Sequence, residues 1–180
     1  YEESGLLGMD LIRLGLERGK SAYEAMHVIT SLLERYGQGG SGSVDSKRIY
    51  HNSYVVADPK EAWVLETAGR YWVAKKVEGA CSISNVYSIE TEWDEAHHGL
   101  IDHAVEKGWY DPSEGFNFAK IYGDYVNYNP VLAQNRANRT SELMKAREGS
   151  ITVEYVMSVL RDHMEGTVIK PRWSPNETFY

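Results

Sequence analysis

The sequence of 180 residues holds a single cysteine, Cys81, so an internal disulfide is excluded. A chain of this length buries about two-thirds of its unfolded surface and needs neither a disulfide nor a structural metal to hold one core. Cys81 stands among strand-forming residues and is expected to be a small buried hydrophobe rather than a reactive thiol. One thiol leaves the redox compartment open. Positive charge is also in deficit, with 19 Lys and Arg against 26 Asp and Glu, a net charge of -7 and a pI near 5.4. No basic cluster with interleaved aromatics offsets that balance, which argues against a nucleic-acid partner. No apolar run approaches the roughly 20 residues that span a bilayer. Tyr1-Glu2-Glu3 carries no basic-then-apolar leader pattern, so the chain as given is expected to be soluble, with no membrane partner. The first residue is not methionine, which leaves processing or a longer parent protein open. No internal repeat, low-complexity tract or linker divides the sequence, and residues 1–180 are expected to form one domain.

What the chain does have is a dense run of strand signals between Ser53 and Ile89. SYVVA (53–57) and EAWVLET (61–67) flank Asp58-Pro59-Lys60, in which proline presets one backbone angle and aspartate can accept from the following amides. RYWVAKKV (70–77) follows Ala68-Gly69, and ACSISNVYSI (80–89) follows Glu78-Gly79. β-Branched and aromatic residues suit a pleated, half-buried surface, so a four-stranded antiparallel meander is predicted.

Helices surround it. Ser4 is a candidate N-cap for a helix over 5–18, with Leu7, Leu11 and Leu14 on one face and Gly19 as its stop. Ser21 and Glu24 form a capping-box pattern for a second helix ending at Gly37, with Ala25, Ile29, Leu32 and Leu33 as its apolar stripe. Such a hairpin needs a sheet to cover it. The Gly39-Gly40-Ser41-Gly42-Ser43 stretch lacks the lysine and preceding strand of a phosphate loop and reads as a flexible crossing loop. A helix over 93–107 carries His97, His98, Asp102 and His103. Their spacing is not that of a metal site, and a solvated face is the simpler account. From 108 to 138 the chain is rich in Tyr, Asn, Gly and Pro, with only 116–122 helical. Such loops either line a ligand pocket or pack as irregular surface. Helices over 140–147 and 152–164 close the chain.

Four pieces in this order resemble the secernins and the related cysteine-type dipeptidases. They are GLLGMDL (5–11) with Gly37-Gln38-Gly39-Gly40, HNSYVVADPKEAWVLETAGRYWVA (51–74), ISNVYSI (83–89) and LRDHMEGT (160–167). The third also resembles the Asn-bearing strand of bile-salt and penicillin-type amidases. The resemblance implies an α+β fold of the N-terminal-nucleophile hydrolase type, an αββα sandwich of which this chain supplies part. It also implies hydrolysis of amide bonds in dipeptides or other short peptides, with no cofactor. In such enzymes the free α-amine, of pKa about 8, is the general base for the first residue's thiol or hydroxyl, and a side-chain amide can hold the oxyanion. Asn85 matches the amidase asparagine in that role, although a strand asparagine also bonds neighbouring backbone. Trp72, Tyr71 and Arg70 follow the turn where relatives carry Gly-His-x-Trp, which makes them candidate substrate contacts. Arg70 stands where those relatives have histidine.

Tyr1 is no nucleophile, and no cysteine precedes the helix hairpin. Cys81 cannot substitute, since a chain starting there would lose the hairpin and half the meander. The nucleophile is therefore expected upstream, in a longer hydrolase domain. The alternative is a non-catalytic binding or assembly module on the same scaffold, and a homo-oligomer remains open.

Overall fold

A computed structural model describes residues 5–41, 50–123 and 131–167. The expected cap at Ser4 and the end of the glycine-rich stretch, Gly42 and Ser43, fall outside them. Helix α1 spans Gly8–Arg18 and α2 spans Ala22–Tyr36. The first helix starts later than predicted because Leu6 is engaged elsewhere. Its N–H donates to Gly37 O at 2.9 Å and its carbonyl accepts from Gly39 N at 2.9 Å, joining the start of α1 to the end of α2. Ser21 caps α2 as its pattern predicts, its hydroxyl accepting from Glu24 N at 3.2 Å. The Glu24 carboxylate accepts from Lys20 N at 2.9 Å, one residue before the position an ideal capping box would use. Gly19 lets the helices close: a Cβ there would lie 2.5 Å from Ala25 Cα.

Four strands form one antiparallel sheet in the order β1-β2-β3-β4: Ser53–Ala57, Ala62–Ala68, Tyr71–Lys76 and Glu95–Ala96. The first three match the predicted hairpins to within a residue at each end. Asp58 makes the β1–β2 turn, its Oδ1 accepting from Lys60 N at 2.7 Å and Glu61 N at 3.0 Å. Its Oδ2 accepts from Ala22 N at 2.8 Å, satisfying one of the free amides of α2.

The fourth strand is not where the sequence placed it. Residues 80–89 do not join the ladder, and their only pairing among the described residues is an isolated bridge between Ser84 and Val86. The β3 edge is instead occupied by Glu95–Ala96, with Ala96 opposite Val73 and Glu95 opposite Ala74. Asp94 N donates to Ala74 O and His97 N to Trp72 O, each at 3.0 Å. That pairing also shortens the helix predicted over 93–107, and α3 is Leu100–Glu106. Ile89, with the partly buried Ile83 and Tyr87, packs on the sheet's face instead of pairing in the ladder. Cys81 is exposed rather than buried, because the residues around it do not form the strand expected of them.

Helix α4, Phe118–Tyr122, is capped by Asn117, which accepts from Lys120 N at 2.9 Å. Helix α5, Val131–Ala146, is far longer than the 140–147 predicted, and α6, Val153–Leu160, ends before the predicted 164. The first half of α5 (VLAQNRANR) lacks an apolar period, which hid it among the preceding amide-rich loop.

Hydrophobic side chains fill both faces of the sheet. Tyr54, Trp63, Leu65, Trp72 and Ala74 meet Leu11, Met26, Ile29 and Leu33 of the hairpin. On the opposite face Val64, Ala68 and Val73 meet Ile89, Leu100, Ala104, Phe118 and Tyr122. The fold is α+β, and among the described residues no helix is long and apolar enough to cross a membrane.

Candidate active site

Asn85 lies in the segment that failed to become a strand, and its position follows from how that segment is held. On the sheet side the anchor is Glu66, 0% exposed in the middle of β2. Its Oε1 accepts from Ser88 N at 2.7 Å and Ser88 Oγ at 2.8 Å, and its Oε2 from Ile89 N at 3.0 Å. Burial pushes the Glu66 carboxyl above its ordinary pKa, and these three bonds partly oppose that shift. Tyr87 adds a bond from its hydroxyl to Thr67 O at 2.6 Å.

On the other side runs α5. Ser82 Oγ and Thr140 Oγ1 are 3.1 Å apart, and Ser84 Oγ donates to Ala133 O at 3.3 Å. Arg136 Nη2 donates to Asn85 Oδ1 at 2.8 Å. Glu148, just past α5, accepts from Ala80 N at 3.3 Å. Gly79 permits that approach: it sits at φ 75°, and a Cβ there would lie 2.5 Å from Glu148 Oε1. Residues 79–89 are thus held between helix and sheet, with Asn85 exposed at the α5 side.

The three other predicted site residues do not share one surface. Trp72 is buried against the hairpin, its Nε1 donating to Glu34 Oε1 at 2.7 Å. Arg70 Nη1 donates to the Glu34 carbonyl. Tyr71 points the other way, as successive strand residues must, and packs in the same layer as Ile83 and Tyr87. Tyr71 is therefore on the Asn85 side of the sheet, while Trp72 and Arg70 engage α2.

Around Tyr71 is a ring cluster that the sequence did not reveal. His103 stacks on it at 3.9 Å and His97 meets it edge-on at 4.8 Å between centroids. Tyr122 donates its one hydroxyl proton to Leu100 O at 2.7 Å. The 3.0 Å contact between His103 Nδ1 and that hydroxyl therefore has Nδ1–H as donor, leaving Nε2 as the basic nitrogen. Desolvation, and then Lys107, lower the His103 pKa, and desolvation likewise lowers that of His97. The histidines stack rather than converge, and no group of three His, Cys, Asp or Glu is placed to hold a metal among the described residues.

Beside this cluster is a cavity of about 520 Å³, lined by His51, Trp109, Asp111, Asn117, Lys120 and Tyr122 among others. The Tyr- and Asn-rich loops named in the sequence supply most of that wall. Sequence reasoning missed Glu66 and Arg136. An acidic residue at an inward strand position was a usable signal for the first, whereas nothing local marked the second.

This α+β scaffold presents Asn85 from a segment clamped between β2 and α5. Residues 2–178 match Peptidase family C69, and the chain belongs to that family. It is similar to a probable dipeptidase B of Lactococcus lactis subsp. lactis (strain IL1403), 28% identical over 203 residues, covering 98% of this chain and 41% of the relative. The chain thus spans less than half the length of that curated relative.

Proposed function

We propose that the protein containing this chain hydrolyses the amide bond of dipeptides or short peptides, with Asn85 donating to the oxyanion. Membership of a peptidase family and likeness to a probable dipeptidase support the reaction class. The observation that carries the residue assignment is the bond from Arg136 to Asn85 Oδ1, which leaves the amide N–H pair as the end available to a substrate oxygen. The nucleophile is an N-terminal cysteine thiol outside residues 1–180, and the domain is a longer N-terminal-nucleophile sandwich of which this sheet is one layer. The α-amine takes the thiol proton as sulfur attacks the carbonyl carbon. Charge develops on the carbonyl oxygen and is met by Asn85 Nδ2–H. The C–N bond then breaks, the leaving amine takes the proton, and water hydrolyses the thioester. Of the three candidate substrate contacts, Tyr71 shares the Asn85 layer, and Trp72 and Arg70 support the wall through Glu34.

The test is steady-state hydrolysis of a dipeptide panel by the intact protein and by Asn85→Ala. Loss of one oxyanion donor lowers kcat by about 10²- to 10³-fold with little change in KM. An unchanged kcat would remove Asn85 from the mechanism, and no hydrolysis by the intact wild-type protein would leave only a non-catalytic scaffold.

A further inference from the structure

We infer that Arg136 is a positioning residue for the reaction, fixing which end of the Asn85 side chain faces the substrate; this rests on the oxyanion role proposed for Asn85. The terminal torsion of asparagine is broad and roughly two-fold, so an exposed Asn85 left alone presents its carbonyl as readily as its amide. A carbonyl aimed at a developing oxyanion is repulsive. The guanidinium carries only donors. An Arg136 Nη2 at 2.8 Å therefore admits Oδ1 and rejects Nδ2. Three effects follow from that one contact. The flip is decided, the side chain's swing is restricted, and the cationic donor draws density from Oδ1 and strengthens the opposite N–H as a donor.

The placement of Arg136 is set from its own side by the α5 contacts. Thr140, one turn along the helix, has its Oγ1 3.1 Å from Ser82 Oγ, and Ala133, one turn before, accepts from Ser84 Oγ at 3.3 Å. The helix is thus docked on the Asn85 segment above and below the arginine, so the guanidinium approaches Oδ1 from a braced backbone. Arg136 itself is exposed, and its removal opens no cavity in either core.

The experiment uses the intact protein and reads kcat and KM for dipeptide hydrolysis, normalised by active-site titration, in Arg136→Met, Arg136→Lys, Asn85→Ala and the Asn85→Ala/Arg136→Met double variant. Misplacement of a catalytic group by ~1 Å can cost ~10²-fold, so a reoriented donor in Arg136→Met is expected to lower kcat by about tenfold with KM within about twofold. Arg136→Lys, which keeps a charged donor, recovers part of that loss. In the Asn85→Ala background, adding Arg136→Met changes kcat by less than about twofold, because the group it positions is gone. A merely structural arginine would instead lower thermal stability and multiply through both backgrounds. Full kcat in Arg136→Met beside a crippled Asn85→Ala overturns this inference and leaves the oxyanion role standing. An undiminished Arg136→Met effect on top of Asn85→Ala overturns it too, whereas full activity in Asn85→Ala overturns both.

Discussion

Two buried polar groups on neighbouring strands have opposite consequences. Glu66 is fully satisfied: three donors converge on its two oxygens. Glu66→Gln replaces one acceptor oxygen with a donor facing a donor, and leaving a buried group unpaired costs about 1–3 kcal/mol. Denaturant unfolding of the intact protein should show that loss, with a further fall in kcat as the Asn85 segment loosens. Tyr54 is the reverse case. Its hydroxyl is buried against the helix hairpin with no hydrogen-bond partner among the described residues, and desolvation pushes its pKa up. Tyr54→Phe removes an unpaired polar atom while keeping the ring, so it should leave stability unchanged or raise it by up to about 1 kcal/mol. His103 has a folded pKa below its ordinary 6.5, so its contribution is present above that value and lost as pH falls through it towards the lowered one. His103→Gln should therefore shrink the drop in Tm between about pH 7.5 and pH 5, with His97 contributing a residual in the same window. Asn85 stood out in the sequence as a candidate because its motif is local. The inward strand position of Glu66 was a signal that something is held there, but its partner lies 22 residues away, and Arg136, 51 residues from Asn85, had no local signal at all.

At the scale of elements, the features that depend on neighbours in sequence were the readable ones. The Ser21 cap, the Asp58-Pro59-Lys60 turn and the first three strands are decided by groups within a few residues of one another. Asp58 goes further by tying the hairpin turn to the first amide of α2. Its three backbone donors, led by Ala22 N, hold its pKa below the ordinary 3.8. That stabilisation is present above 3.8 and disappears as pH falls through the lowered value. Asp58→Asn should lower Tm at neutral pH, and the gap from wild type should close in acid. A gap that persists in acid would mean that the loss is steric. By contrast, the identity of β4 was not local. Both 80–89 and Glu95–Ala96 follow β3, and the choice between them is made by tertiary pairing. Glu66 draws the backbone at Ser88 and Ile89 onto the sheet's face, and Asp94 Oδ2 accepts from Lys76 N at 2.7 Å beside the free edge. Composition alone favours the wrong segment because β propensity reports fit to a half-buried surface, which a covering segment also has.

For the molecule as a whole, the decisive fact is that one strand serves two cores. Trp63 and Leu65 of β2 face the helix hairpin, while Val64 and Ala68 face the layer that carries Ile89 and Phe118. The sequence led to an expectation of half-buried strands, whereas six of the seven residues of β2 are buried and the strand is covered on both sides. What the sequence withheld was which segments make the second cover, because 80–90, α3 and α4 are short and irregular and are ordered only by docking. Leu65 and Phe118 are each 0% exposed, one in each core. Leu65→Ala should cost about 2–5 kcal/mol and Phe118→Ala about 3–5 kcal/mol. The side-chain period of a strand is two, so β2 cannot slip to relieve one face without disrupting the other. Both variants should therefore lower the same calorimetric transition in the intact protein rather than split it. A separate early transition in Phe118→Ala, with the hairpin core unfolding at its wild-type temperature, would show that the two layers are held independently. In that event the Asn85 segment would be anchored by its own contacts to Glu66 and α5, and the kcat of Leu65→Ala below its Tm would match wild type.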